Sequence, residues 1–569
     1  FLTDVTLETR NYFESSFKSF ILRIRDSCYS LQRDVTKLQK ANKFPQEQED
    51  KLKQIDEYKK FIIWLFQYLK MELVPGIQYQ RCLMSLNLIA ILINSGVDSY
   101  IAAKDVDKEN KRSWPFNLTI LNDTTLLRLL IDNLISPVND IRKSVKTLLS
   151  QSYNSDLSVK KTLHSMINED TLLKKATQNM NAYQNTEAGA TIEKFLFDIS
   201  ENQLQLIKDQ LTLLQLENDK TEKNPIGNAV NNISGFYTSL TMFFNSLDIE
   251  SYSKETIENI LKESLTEIMK SWNISKELMC HDSSDGLLPN KYLQSSISDQ
   301  IITSYAFRTV KEMSKMLEVI INSYTLTQEQ LVAIGDLLIS QLSTIRHSGC
   351  FQAVLPTFRT FCVRCRFVAP DQLKKWLDEI LNSLEVKTQH ITRRSGGLPF
   401  LITNILATET SKDRPELKLV FEKFLNILKT VSDMAHQDKL DLPQITAFNC
   451  IKAIFIETKL SEACTPYFPS ALEYSLKYFK SDIWALRNCS LMLFTSLQNR
   501  IFGKLGKNIS ARLFFTKYAG IDEMLLQILR NSIENGNENE KDMESTILVL
   551  SILMCLKQTP GYNGLNPFI

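Results

Sequence analysis

Glycine is scarce in this chain, 16 of 569 residues where a usage near 7% is ordinary, so turns that need left-handed backbone are few. No apolar run approaches the roughly 18 residues that cross a bilayer. The longest, 61–69 and 547–556, reach about half that length, and no membrane segment is expected. There is no charge excess either: 66 Lys and Arg stand against 65 Asp and Glu, which argues against the long-range basic field of an autonomous nucleic-acid binder. No GxGxxG or GxxxxGK[ST] occurs, so a strand–turn–helix nucleotide or methyl-donor site has no sequence support. The five histidines (164, 281, 347, 390 and 436) lack a nucleophile or ligand partner at recognisable spacing, and no catalytic or metal site is expected.

What is present is a folded composition, 43% apolar and 23% charged, in a chain too long for one ordinary core. Apolar residues recur at helical spacing almost throughout, as in Phe61, Ile62, Leu65, Phe66 and Leu69, or Leu126, Leu127, Leu130, Ile131 and Ile135. Runs with strand alternation are missing. Punctuation rich in Asp, Asn, Lys, Gly or Pro falls at 104–115, 217–232, 281–289, 408–415 and 535–542, with helices of about ten to twenty residues expected between. Ten scattered cysteines, most within apolar helical patterns, suit reduced buried thiols of a cytoplasmic or nuclear protein. Cys362 and Cys365 form the one CxxC, without a second half at zinc-finger distance. The chain opens on Phe1 with no leader, and it is expected to be a piece of a longer protein.

A weak repeat emerges from the helix heads. Ile141-Arg142 and Leu486-Arg487 each place an aliphatic residue before an arginine. Arg346 and Arg394 fit the same slot in part, 48 residues apart, and Arg487 lies 93 residues beyond Arg394. That is the period of HEAT-like helical pairs. The expected fold is all-α, an α-solenoid of HEAT/armadillo-like helical repeats, divided into a segment 1–280 and a segment 281–569. Arg142 and Arg487 are expected to pair with acids in adjoining turns.

The densest local signal is Arg393-Arg394-Ser395-Gly396-Gly397-Leu398-Pro399, with two arginines and the one Gly-Gly pair inside helical sequence. The glycines allow close approach of a backbone or ligand, and a helix restarting near Gly396 would put Pro399 in its first turn, where a missing donor costs nothing. Arg393 stands in the slot that Ile141 and Leu486 fill with aliphatics. Two guanidinium groups beside a helix N-terminus suit a phosphate; a tight helix crossing with a structural salt bridge suits the same residues. Residues 341–400 carry nine Lys/Arg against four acids and 481–520 carry six against one, as a backbone-tracking nucleic-acid groove would need and as solvated helix faces would also show.

Residues 393–399 resemble the RRSAGLP signature of the THADA family, large HEAT-like proteins that include a fungal tRNA methyltransferase subunit. Arg346-His347-Ser348-Gly349-Cys350-Phe351 resembles its HRGAFE segment. Residues 481–503, with Trp484, Arg487 and Asn488, resemble its WAVRNSA block, and Phe307-Arg308 through Lys311-Glu312 its CWR…KE block. Together these span about 304–528, while the first 280 residues match mainly in helical style. Gly396 stands where alanine is expected and Phe307 where tryptophan is, and residues 348–350 match loosely. The resemblance implies a non-catalytic partner of an FtsJ-like, S-adenosylmethionine-dependent methyltransferase that methylates the 2′-hydroxyl of the first anticodon-loop ribose, position 32. In that reading the cofactor sits on the partner and this chain positions the tRNA in the cytoplasm. Arg393 and Arg394 are the first candidates for tRNA contact, followed by Arg359, Arg364, Arg366, Lys504, Lys507 and Arg512. A helical-repeat scaffold without an RNA role, or the helical arm of a larger enzyme, are the competing expectations.

Overall fold

The computed structural model describes residues 6–41, 44–101, 112–181, 185–228, 233–281, 288–292, 297–386, 396–430, 442–503, 509–534, 540–565 and 568. They form two compact units, 1–267 and 268–569. The described chain is helical nearly throughout. A two-residue parallel pair, Ile509–Ser510 with Leu556–Lys557, and an isolated bridge between Asp98 and Leu118 are its extended pairings.

In the first unit the helices are α1 (Leu7–Ala41), α2 (Pro45–Met71), α3 (Tyr79–Leu92), α4 (Thr124–Asn133), α5 (Asn139–Ser155), α6 (Leu157–Met166), α7 (Glu169–Asn181), α8 (Thr186–Ile199), α9 (Gln203–Lys223), α10 (Ile233–Phe244) and α11 (Lys254–Met279). Helix α11 contributes to both units. Helices α3, α5, α8 and α10 lie side by side, with α4, α7 and α9 packed on them as a second layer. Successive members α5, α8 and α10 start at 139, 186 and 233, two steps of 47 residues, close to a HEAT period. The expectation of ten- to twenty-residue helices fails at α1, α2 and α11, which run 35, 27 and 26 residues with no glycine or proline in their interiors, and again at the 25-residue helix Asp299–Ser323 of the second unit.

The stretch Tyr79–Val97, α3 with the turn that follows it, is long and apolar enough by composition to cross a membrane, which no contiguous apolar run disclosed. Its Leu86, Leu88, Ile89 and Leu92 are buried in the unit's core, so packing uses that apolarity. Arg142 is buried at the head of α5. It donates to the Ser136 and Pro137 carbonyls at 2.7 and 3.0 Å and to Glu187 of α8 at 2.9 Å. The adjoining turn thus supplies carbonyls, and the acid comes from the next repeat.

The second unit continues with α12 (Asp299–Ser323), α13 (Gln328–Thr344), α14 (Ser348–Val368), α15 (Pro370–Val386), α16 (Leu398–Ala407), α17 (Pro415–Lys429), α18 (Pro443–Ile456), α19 (Phe468–Phe479), α20 (Trp484–Phe502), α21 (Ala511–Lys517), α22 (Ile521–Glu534) and α23 (Glu540–Leu553). Here α12, α14, α16, α18 and α20 stack in sequence as one layer, with α13, α15, α17 and α19 against them. The heads of α14, α16, α18 and α20 fall at 348, 398, 443 and 484. Alternate helices of such an up-and-down stack run the same way. Helix α16 has only ten residues, and Pro399, Leu401, Ile402, Ile405 and Leu406 are all buried. It is held between α14 and α18.

Candidate nucleic-acid interface

The residues with most to say lie where α14 and α16 begin. Chain direction into α14 is fixed from two sides. The Arg346 and His347 amides donate to the Met279 carbonyl at 2.9 and 3.2 Å, and the His347 imidazole caps the helix, its Nδ1 accepting from the Cys350 amide at 3.0 Å. Burial pushes the His347 pKa below its ordinary value, which favours the neutral ring that an accepting Nδ1 requires. The Phe307 ring lies 5.2 Å from the imidazole, centre to centre.

Helix α16 starts at Leu398 with Pro399 in its first turn, as the Gly-Gly-Leu-Pro order requires. Gly396 has φ +56°, in the left-handed region where a Cβ is disfavoured. That is a physical reason for glycine where the family pattern has alanine. Gly397 meets the end of α13: a Cβ there would stand 1.9 Å from the Leu342 carbonyl oxygen and 3.1 Å from the Phe351 ring. Phe351 in turn packs edge-on to Phe400, centroids 5.1 Å apart. For Gly397, then, the close approach is to a backbone, as the helix-crossing reading expects.

Three signature stretches, at 307, 346–351 and 396–399, are therefore one contact cluster. Arg346 joins it, since a Cβ on Gly396 would lie 3.9 Å from the Arg346 guanidinium. The sequence marks Arg346 by its motif and its repeat slot, but not its place beside Gly396. Its shared repeat slot with Arg394 was the available signal.

The other candidates separate. Arg393, Arg394 and Ser395, with Lys504 and Lys507, lie outside the described residues. Arg359 is exposed on α14, its Nε donating to Asn404 Oδ1 of α16 at 3.1 Å. Arg364, five residues on, points about 140° away around the helix and is half-buried. Arg366 corrects its expectation. Both its terminal nitrogens bind Glu416 at 2.7 Å and one also reaches the Ile405 carbonyl at 3.1 Å, with the two side chains only 9% and 12% exposed. A desolvated bidentate pair between repeats, with the Nε also directed at Thr408 Oγ1, occupies most of that guanidinium's donors and neutralises its charge, which disfavours a phosphate contact. Arg512 is exposed on α21, past the end of the α14–α20 stack. In the fourth block Trp484 is exposed at the head of α20, Asn488 is exposed, Arg487 is half-buried and Leu486 is buried.

The CxxC is fully buried in α14, where desolvation raises the Cys362 thiol well above its ordinary pKa and Cys365 to about 11. Thiolate for metal or redox chemistry is disfavoured there.

Three family models match along the chain: Trm732 TPR repeats over residues 1–143, THADA/TRM732 (DUF2428) over 259–485, and Trm732 C-terminal TPR repeats over 487–569. The chain belongs to the THADA/Trm732 family. The tRNA (32-2′-O)-methyltransferase regulator trm732 of Schizosaccharomyces pombe is 28% identical across 98% of this chain and 39% of its own length. The regulators named THADA from Gallus gallus and Homo sapiens are 26% and 27% identical, over 55% and 56% of this chain and 18% of theirs. This THADA/Trm732 chain thus spans about two fifths of the fungal relative's length and less of the vertebrate ones. Its likeness also reaches the first 280 residues, beyond the stretch that the motifs marked. Although two of the models are described as TPR, the 47-residue spacing of α5, α8 and α10 is nearer a HEAT period than the 34 of TPR.

Proposed function

We propose that this chain is the helical-repeat part of a non-catalytic regulator that docks tRNA for a separate methyltransferase. The partner is an FtsJ-like enzyme carrying S-adenosylmethionine, and the product is a 2′-O-methylated ribose at position 32 of the anticodon loop of cytoplasmic tRNA. The observation that carries this reading is the junction of α14 and α16. Three separated family stretches meet there, and the next residues upstream of Gly396 are Ser395, Arg394 and Arg393. The relatives' printed roles supply the substrate.

In this reading the chain moves no proton and holds no methyl donor. It contributes a rigid head of α16, seated by Gly397 on α13, and cations for phosphate oxygens: Arg393 and Arg394 first, then Arg359, Arg364, Lys504, Lys507 and Arg512. Arg346 stands beside the same junction, and Arg366 is left to hold α14 to α17.

The test is tRNA binding by the Arg393→Ala protein across a salt series, beside ribose-methylation mapping of tRNA from cells that carry it. Lower affinity with a flatter salt dependence at unchanged helical content supports phosphate contact. A variant that melts early yet binds normally while folded assigns Arg393 a structural role instead.

A further inference from the structure

The first unit holds a second basic surface that the motifs do not mark. Along α1, Lys18, Leu22, Arg25, Tyr29, Arg33, Lys37 and Lys40 recur at three- and four-residue steps and so share one face of the helix. Two hollows lie end to end on that face. One of about 540 Å³ is walled by residues from Lys18 to Arg25 of α1 and, opposite, by Ser95, Tyr100 and the end of α5. The other, of about 350 Å³, is walled by Tyr29 through Lys40 and, opposite, by Ser113 and Pro115. From Lys18 to Lys40 is about 33 Å along the helix axis.

Among the described residues, charge along this face is one-sided. Lys18, Arg33, Lys37 and Lys40 are exposed. Asp26, the carboxylate beside the face, is already taken: Arg25, with its side chain 4% exposed, binds it at 3.2 Å, and Arg112 binds its other oxygen. Asp34 lies off the face and reaches Lys37 only at 3.9 Å, between exposed groups, a pairing too weak to tie the lysine down. The remaining polar lining is hydroxyl and carboxamide, from Thr36, Ser113, Asn94, Gln151 and Asn154.

We infer that this groove takes the sugar–phosphate backbone of an RNA strand, with Arg33, Lys37 and Lys40 on phosphates. The inference rests on the tRNA reading above. Charge complementarity over tens of ångströms calls for a continuous polyanion. Hydroxyls and carboxamides, which both donate and accept, match phosphate oxygens and the ribose 2′-hydroxyl. An acidic peptide could meet the same hydroxyls and carboxamides through its backbone, so the length of the cationic face, about 33 Å along the helix axis, is what favours a nucleic-acid strand.

The test is a salt series of tRNA binding by the full protein and by Arg33→Gln/Lys37→Gln/Lys40→Gln, with Arg33→Lys as the charge-preserving control. Each lost phosphate contact removes roughly 0.7–0.9 from the slope of log affinity against log salt. The triple variant should therefore flatten the slope by about 2 and weaken binding about tenfold or more near 0.1 M salt, while circular dichroism stays unchanged and Arg33→Lys binds as the parent does. An unchanged slope overturns the inference. If Arg359→Gln/Arg364→Gln weakens binding and the triple variant does not, the groove falls and the junction reading stands; a parent that binds no tRNA sinks both. Binding of polyglutamate through the same three cations, without RNA binding there, would assign the groove to an acidic protein and overturn the inference as well.

Discussion

Gly397 stands so close to Leu342 that a single methyl group would separate them: its Cβ would lie 1.9 Å from the Leu342 carbonyl oxygen and 2.7 Å from the carbon. The obstacle is main chain, which cannot rotate aside as a side-chain tip can. Gly397→Ala should push α16 off α13 and cost about 3 kcal/mol or more. Denaturant unfolding will measure it, and a loss below about 0.5 kcal/mol, ordinary for a surface change, would show that the crossing is looser than described.

His347 predicts a pH dependence. Its folded pKa is depressed by burial, so the unfolded chain takes up the proton first as pH falls. The cap's contribution is present in full above about 6.5 and is lost as pH drops through the lower folded value. Asparagine caps without titrating. His347→Asn should keep the stability at pH 7.5 and flatten its decline below pH 6.5, whereas His347→Ala should cost about 1 kcal/mol at pH 7.5. Thermal melts across that range decide it.

Arg366 and Glu416 should behave as a buried pair. Arg366→Met strands a carboxylate that is 12% exposed and should cost about 3–5 kcal/mol, while adding Glu416→Met should recover much of the loss. Because the guanidinium faces inward, the double variant should bind tRNA as the parent does. A drop in tRNA affinity at unchanged fold would return Arg366 to the contact surface.

Glu193 in α8 is 4% exposed, and desolvation raises its pKa from 4.5 to about 7 against hydrogen bonds from Ser239 and Gln210. A raised carboxyl favours folding in full below the unfolded value and loses that contribution as pH rises through the folded one, here from about 4.5 to about 7. Glu193→Gln should remove the slope in that window and raise the melting temperature at pH 8. A parent whose stability is flat from pH 5 to 8 would contradict it.

Much of this was legible in the residues because it is local. The restart of a helix at Gly396–Pro399 follows from glycine and proline chemistry, and α16 indeed begins at Leu398. The helix-head arginine is a repeat signal because the turn entering a helix leaves carbonyls that need donors, which Arg142 supplies to Ser136 and Pro137. What stayed hidden was long-range. Glu416 is 50 residues from Arg366, so nothing in the local charge count distinguishes that arginine from Arg359. The contact of Gly397 with Leu342 depends on how α13 ends, and the hollows along α1 depend on segments some 60 to 130 residues away in sequence.

The most direct test of the central claim is the ribose at position 32 of tRNA in cells lacking this protein, mapped for 2′-O-methylation before and after the gene is restored. The mark should vanish without the protein, return with the intact gene, and return weakly or not at all with Arg393→Ala. An undiminished mark at that ribose in the deleted cells would contradict the account.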